Sequence, residues 1–105
     1  MIVYQIENHL SVEEYICVLI DSTLGERRPV DEPDRIAKML EHANLIVTAR
    51  HQGKLVGVAR SFTDFVYCTY LADLAIDLKY QKQGIGKELL RFVKKETPKA
   101  KLILL

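Results

Sequence analysis

Apolar positions along this chain switch between a strand-like and a helix-like spacing, and the switches outline its elements. IVYQIE at residues 2–7 reads as a strand, broken by Asn8 and His9. Ser11-Val12-Glu13-Glu14 has the spacing of a capping box, in which the serine hydroxyl accepts from a first-turn amide and Glu14 reaches back. Tyr15, Ile16, Val18 and Leu19 carry that helix to about Ser22. Gly25 and Pro29 bracket a loop holding Glu26, Arg27 and Arg28. A second helix is predicted from near Pro33 to Asn44, because Ile36, Met39, Leu40 and Ala43 recur at i, i+3, i+4, i+7. Residues 45–49 and 55–61 read as strands around the turn His51-Gln52-Gly53-Lys54, where Gly53 can take a positive φ.

A further turn falls near Asp64, and residues 66–78 read as a long strand. Its second half, LADLAIDL, has a helical composition. It is read as strand because of the glycine turn and helix that follow it. The third helix begins at or just before Gly84, aligns Ile85, Leu89 and Val93, and ends at Pro98. Lys94 and Lys95 suit its last turn, where the helix dipole is negative. KLILL, residues 101–105, closes the pattern as an apolar strand. The predicted order is β-α-α-β-β-β-α-β. The last helix is a crossover that sets its flanking strands parallel, while short turns set the earlier ones antiparallel. The expected class is therefore α/β (α+β): a mixed, mostly antiparallel twisted sheet with helices on both faces, in one domain over residues 1–105.

Charge and composition narrow the partners. Fifteen basic and 14 acidic residues leave a net charge of +1, which gives no reason to expect nucleic acid or an anionic membrane. No apolar stretch approaches the roughly 20 residues of a membrane span, and the N-terminus lacks the plan of a signal peptide. Cys17 and Cys68 have no C-x-x-C spacing and build no disulfide framework, so a reduced, cytoplasmic setting is expected. His9, His42 and His51 have no metal-helix spacing and read as surface histidines; no metal is expected.

The chemistry concentrates in Asp77-Leu78-Lys79-Tyr80-Gln81-Lys82-Gln83-Gly84-Ile85-Gly86-Lys87, which joins a strand to a helix. Two glycines one residue apart let the backbone approach a ligand closely. Successive amides and the helix N-terminus then favour an anion, and a diphosphate is the natural occupant. Lys79, Lys82 and Lys87 can add charge at the rim. Walker A is excluded, because Glu88 follows Lys87 and no glycine stands at the required upstream position. The dinucleotide fingerprint is excluded by Leu89, where a third glycine is needed. By itself, the G-x-G is equally compatible with a tight helix-entry turn.

The whole stretch resembles the GNAT N-acetyltransferase superfamily. That family carries [Q/R]-x-x-G-x-[G/A] after a long strand, and Gln81-Lys82-Gln83-Gly84-Ile85-Gly86 matches it. LADLAIDLKY looks like the family's acetyl-CoA-contacting strand, and residues 57–61 with Thr63 and Asp64 look like its strand-and-turn segments. The resemblance implies the acyl-CoA N-acyltransferase (GNAT) fold and acetyl transfer from acetyl-CoA to an amine. It implies that backbone groups of Leu74, Ala75 and Ile76 bind the pantetheine arm, where two strands splay apart. It further implies that Gln81, Lys82, Gln83, Gly84, Ile85, Gly86 and Lys87 hold the diphosphate. Leu74 and Ile76 also read as core residues, and both readings can hold, since side chain and backbone point differently.

Transfer to an amine needs a proton acceptor. The family position that often holds a glutamate falls on Tyr70 here. Asp73 lies near but on the opposite face by strict alternation, unless a β-bulge intervenes. Asp73 and Tyr70 are the catalytic candidates, beside a water relay. The alternatives are that Tyr70 lines a pocket and Asp73 makes a structural hydrogen bond. Cys68 reads as a packing residue rather than a nucleophile. Arg27 and Arg28 read as a solvated loop, or as contacts for an acidic substrate.

Family members normally continue past the strand matching KLILL with a helix and a further strand pair, which often supplies a tyrosine as general acid. The expectation here is a C-terminally incomplete domain: a shortened chain, a piece of a longer one, or a sheet completed by a partner chain, with a homodimer possible. Two functions follow. One is an acetyl-CoA-dependent N-acetyltransferase acting on a small-molecule or protein amine. The other is a non-catalytic acyl-CoA-binding or self-associating module.

Overall fold

The computed structural model describes residues 1–104 and shows one five-stranded sheet in the order β1-β2-β3-β4-β5. In chain order the elements are β1 (Ile2–Ile6), α1 (Val12–Asp21), α2 (Pro33–His42), β2 (Leu45–His51), β3 (Lys54–Thr63), β4 (Cys68–Ile76), α3 (Ile85–Glu96) and β5 (Lys101–Leu104). Short 3₁₀ turns occupy Leu24–Arg27 and Leu78–Tyr80. The first four strands pair antiparallel and β5 joins β4 in parallel. This is the expected α/β architecture and element order. The strand expected over 101–105 is seen over Lys101–Leu104, and Leu105 lies outside the described residues.

Each helix buries one stripe. Tyr15, Val18 and Leu19 of α1 and Ile36 and Leu40 of α2 pack with Ile46, Val58 and Ala75 on one face of the sheet. Ile85, Leu89 and Val93 of α3 cover the other face over Leu45, Val47, Val56, Ala59 and Leu71. Each fully buried Leu or Ile contributes about 1.5–3 kcal/mol relative to exposure. Ser11 caps α1 by accepting from the Glu14 amide at 3.2 Å, and Glu14 reaches back to the Ser11 hydroxyl. Glu14 also meets Arg50, whose guanidinium grips both oxygens of Glu7 and so ties β1 and β2 to α1. Among the described residues, no helix is long and apolar enough to cross a membrane.

Of the LADLAIDL segment, residues 71–76 are strand despite their composition, because β3 on one side and two helix layers above and below claim them. The strand is shorter than residues 66–78 at both ends. One Asp64 carboxylate oxygen accepts from the amides of Val66, Tyr67 and Cys68 at 2.8–3.0 Å, which holds Val66 and Tyr67 in a turn. Asp77 accepts from the Lys79 amide at 2.9 Å and starts the 3₁₀ turn that ends β4.

Candidate functional site

The strand β4 sits between β3 and β5 but keeps the two company for different lengths. Its pairing with β3 runs from Thr69 to Ile76, whereas its pairing with β5 covers only Cys68 to Leu71. From Ala72 onward, β4 therefore offers a main-chain edge with no strand partner among the described residues. An irregularity falls at the same place. Arg60 lies opposite Asp73 and Ser61 opposite Leu71, so Ala72 is an extra residue in β4.

A cleft of about 340 Å³ opens along this edge. Leu74, Ala75 and Ile76 form one wall, Tyr80 to Lys82 with Gly84 to Gly86 another, and Ser22 at the end of α1 a third side. Gln83 and Lys87, also expected to hold the diphosphate, do not line it. The turn at its end is built to expose amides. The first amide bonding back along α3 is that of Glu88, to the Gly84 carbonyl at 3.0 Å. Those ahead of it in the helix have no intrahelical acceptor and point out at the positive end of the helix dipole. Lys82 at φ 65° and Gly84 at φ 83° turn the chain into the helix. A left-handed lysine is strained backbone of the kind that clusters at ligand clamps. The Gln81 side chain donates to the Ile76 carbonyl at 3.0 Å and fastens the turn to the strand end. A Cβ on Gly86 would stand 3.3 Å from Ile76 Cδ1, so the missing side chain is what leaves the cleft floor open. Open strand edge, free amides and bare glycines fit an elongated ligand with an anionic end.

The bulge changes the relation of the two catalytic candidates. Arg60 and Phe62 share one face of β3, and they lie opposite Asp73 and Tyr70 respectively. Asp73 and Tyr70 therefore point to the same face, the one covered by α1 and α2. The opposite-face expectation from strict alternation is corrected by the inserted Ala72. Tyr70 is partly exposed, with its ring 6.4 Å from that of Phe62.

Asp73 is only 1 % exposed. One carboxylate oxygen accepts from Arg28 Nε at 2.6 Å, and the other from Arg60 Nε and the Tyr15 hydroxyl. Burial by itself would raise the acid's pKa. The hydrogen bonds and charge of Arg60, with those of Tyr15 and Arg28, outweigh it and hold the carboxyl below its usual range. The same burial, together with the Asp73 charge, pushes the Tyr15 phenol up. Asp73 is thus an ionised, fully engaged carboxylate with low basicity. The expectation of a solvated Arg28, or one reserved for substrate, is corrected: it turns inward from its loop onto Asp73 and also donates to the Ala72 carbonyl at 3.0 Å. Arg27 is exposed. Sequence reasoning missed the Tyr15–Arg28–Arg60–Asp73 cluster as a unit. A lone acid in LADLAIDL and a lone arginine in VGVARSF, both apolar strands, were the available signal.

Residues 5–104 match the sequence profile of the acetyltransferase (GNAT) family. The chain belongs to the GNAT acetyltransferase family. A search of curated protein sequences finds no match. Solved structures share the GNAT fold over nearly the whole chain. A GNAT family acetyltransferase from Streptococcus pneumoniae is 21% identical, with 100% of this chain and 75% of that one aligned at a TM-score of 0.76. A probable acetyltransferase from Staphylococcus aureus is 19% identical, covering 100% and 79% at a TM-score of 0.80. An aminoglycoside 6'-N-acetyltransferase complexed with coenzyme A is 17% identical, covering 97% and 60% at 0.78. At these identities the likeness speaks for the fold of this GNAT chain.

Proposed function

We propose that this GNAT chain transfers the acetyl group of acetyl-CoA to a primary amine of a small molecule or protein by direct attack. The observation that carries the reading is the cleft where the unpaired β4 edge runs into the glycine turn of α3. Main-chain groups of Leu74 and Ile76, which turn to the open edge while those of Ala75 between them turn to Val58 of β3, pair with the pantetheine arm in place of a neighbouring strand. The amides of Lys82 and of Gly84 to Gly86, with the two glycines lacking side chains, receive the diphosphate. An amine nitrogen attacks the thioester carbonyl of acetyl-CoA, the C–S bond breaks, and CoA leaves as a thiolate that takes up a proton from water. A β4 amide freed by the splay donates to the carbonyl oxygen as charge develops on it.

The ammonium form of an acceptor must lose a proton before it attacks. Asp73 is ill suited to take it, since both oxygens are engaged and its basicity is lowered. In this reading Asp73 orders the bulge. Tyr70 lines the acceptor side, and the proton leaves through water.

An amine panel with acetyl-CoA, followed by release of free thiol, tests the reading. Release that depends on the amine supports transfer. Saturable acetyl-CoA binding with no turnover across the panel would replace it with a binding module.

A further inference from the structure

Arg28 ties the α1–α2 loop to two adjacent residues of β4. It leaves the α1–α2 loop, which begins beside Ser22 on the cleft wall. Its Nε donates to Asp73 Oδ1 at 2.6 Å, its Nη2 to the Ala72 carbonyl at 3.0 Å, and its Nη1 to its own neighbour's carbonyl at Arg27 at 2.8 Å. Ala72 is the inserted residue of the bulge, and its carbonyl belongs to the stretch of β4 that has left β5 behind. Such an inserted carbonyl has lost its ladder partner. Asp73 does not need Arg28 for charge balance alone. Arg60, only 7 % exposed, already sits 2.5 Å from its other oxygen. What Arg28 adds is the second arm of a planar fork, reaching a carboxylate and a carbonyl at once.

We propose that Arg28 is a positioning residue for the acyl-CoA cleft. Its fork fixes the bulge, and so sets the main-chain edge of Leu74 to Ile76 that receives the pantetheine arm, while tying down the loop that walls the cleft at Ser22. The inference rests on the acyl-CoA reading of the cleft. It predicts that the fork, rather than the positive charge, is what the site needs. Lysine is a point charge and can hold the carboxylate or the carbonyl, not both in the arginine geometry.

The test is Arg28→Lys in the full chain, with CoA binding measured by calorimetry and amide hydrogen exchange measured without ligand. The variant keeps the charge beside Asp73, so it should melt close to the wild type. Its CoA dissociation constant should rise on the order of tenfold, the worth of one charge-assisted hydrogen bond. Amides of 72–76 should exchange faster than in the wild type. Arg28→Ala should show the same two effects more strongly, and if it fails to fold, Arg28→Lys still decides. Wild-type affinity and unchanged exchange in Arg28→Lys would overturn the inference while leaving the acyl-CoA reading intact. Wild-type protein that binds no CoA would overturn both.

Discussion

Asp73→Asn is the substitution that most clearly separates an anchoring role from a chemical one. Asparagine keeps the size of the side chain but removes the charge that Arg60 and Arg28 are held against. Breaking a buried ion pair by removing one partner typically costs about 3–5 kcal/mol, because the remaining charge stays buried without compensation. Arg60 is nearly inaccessible, while the Arg28 side chain is 24% exposed and can turn toward water. Asparagine can still accept from the Tyr15 hydroxyl. The lower end of the range applies, about 3 kcal/mol. For a domain near this size, that lowers the melting temperature by roughly 12–20 °C. Total stabilities run about 5–15 kcal/mol, so the variant should remain folded at low temperature. Urea unfolding followed by circular dichroism, with m unchanged, measures the loss directly. A loss below about 1 kcal/mol would refute the buried ion cluster, since surface pairs are worth that much. Abolished turnover at unchanged stability would instead make Asp73 a proton acceptor.

Three further outcomes follow from single features. Gly84→Ala meets nothing within 4 Å but must hold φ +83°, so it should cost only the left-handed penalty of about 1–2 kcal/mol, read from the urea midpoint. Glu7 is held near pKa 2 against its ordinary 4.5, chiefly by hydrogen bonds from Arg50, and Asp64 near 2 against 3.8 by three backbone amides. Groups whose folded pKa is depressed stabilise the native state above their unfolded pKa and lose that stabilisation as pH falls toward the folded value. Stability should therefore be flat from neutrality to about pH 4.5 and fall between there and pH 2. Arg50→Met should make the acid-induced loss shallower, because Glu7 would then titrate near its ordinary value in both states; an unchanged slope would contradict the Glu7 assignment.

Most of the fold was legible because each helix carries a clean apolar stripe and each turn a specific residue. Ile36, Leu40, Ile85, Leu89 and Val93 are buried as their spacing predicts. Gln52 and Gly53 take positive φ in the hairpin expected there. Strand ends were less legible. Nothing in the order of residues 64–68 shows that Asp64 will gather three amides and postpone β4. The cleft could be drawn from Gln81 to Gly86 because glycines and a preceding strand mark a turn locally. The ion cluster could not, since Tyr15, Arg28, Arg60 and Asp73 come from four separate elements. The bulge at Ala72 has no composition signal either, yet it decides which face Asp73 takes.

The central claim is that the open β4 edge and the Gln81–Gly86 turn bind acyl-CoA. Calorimetric titration of CoA into the wild type and into Gly86→Val tests it most directly. Valine's branched Cβ would stand 3.3 Å from Ile76 Cδ1 and project its methyls into the cleft, while its helix propensity is no worse than glycine's. The account predicts saturable one-to-one binding by the wild type. It predicts at least a roughly tenfold weaker affinity in a variant that melts within a few degrees of it. Equal affinity in folded Gly86→Val, or no binding by the wild type, would contradict it.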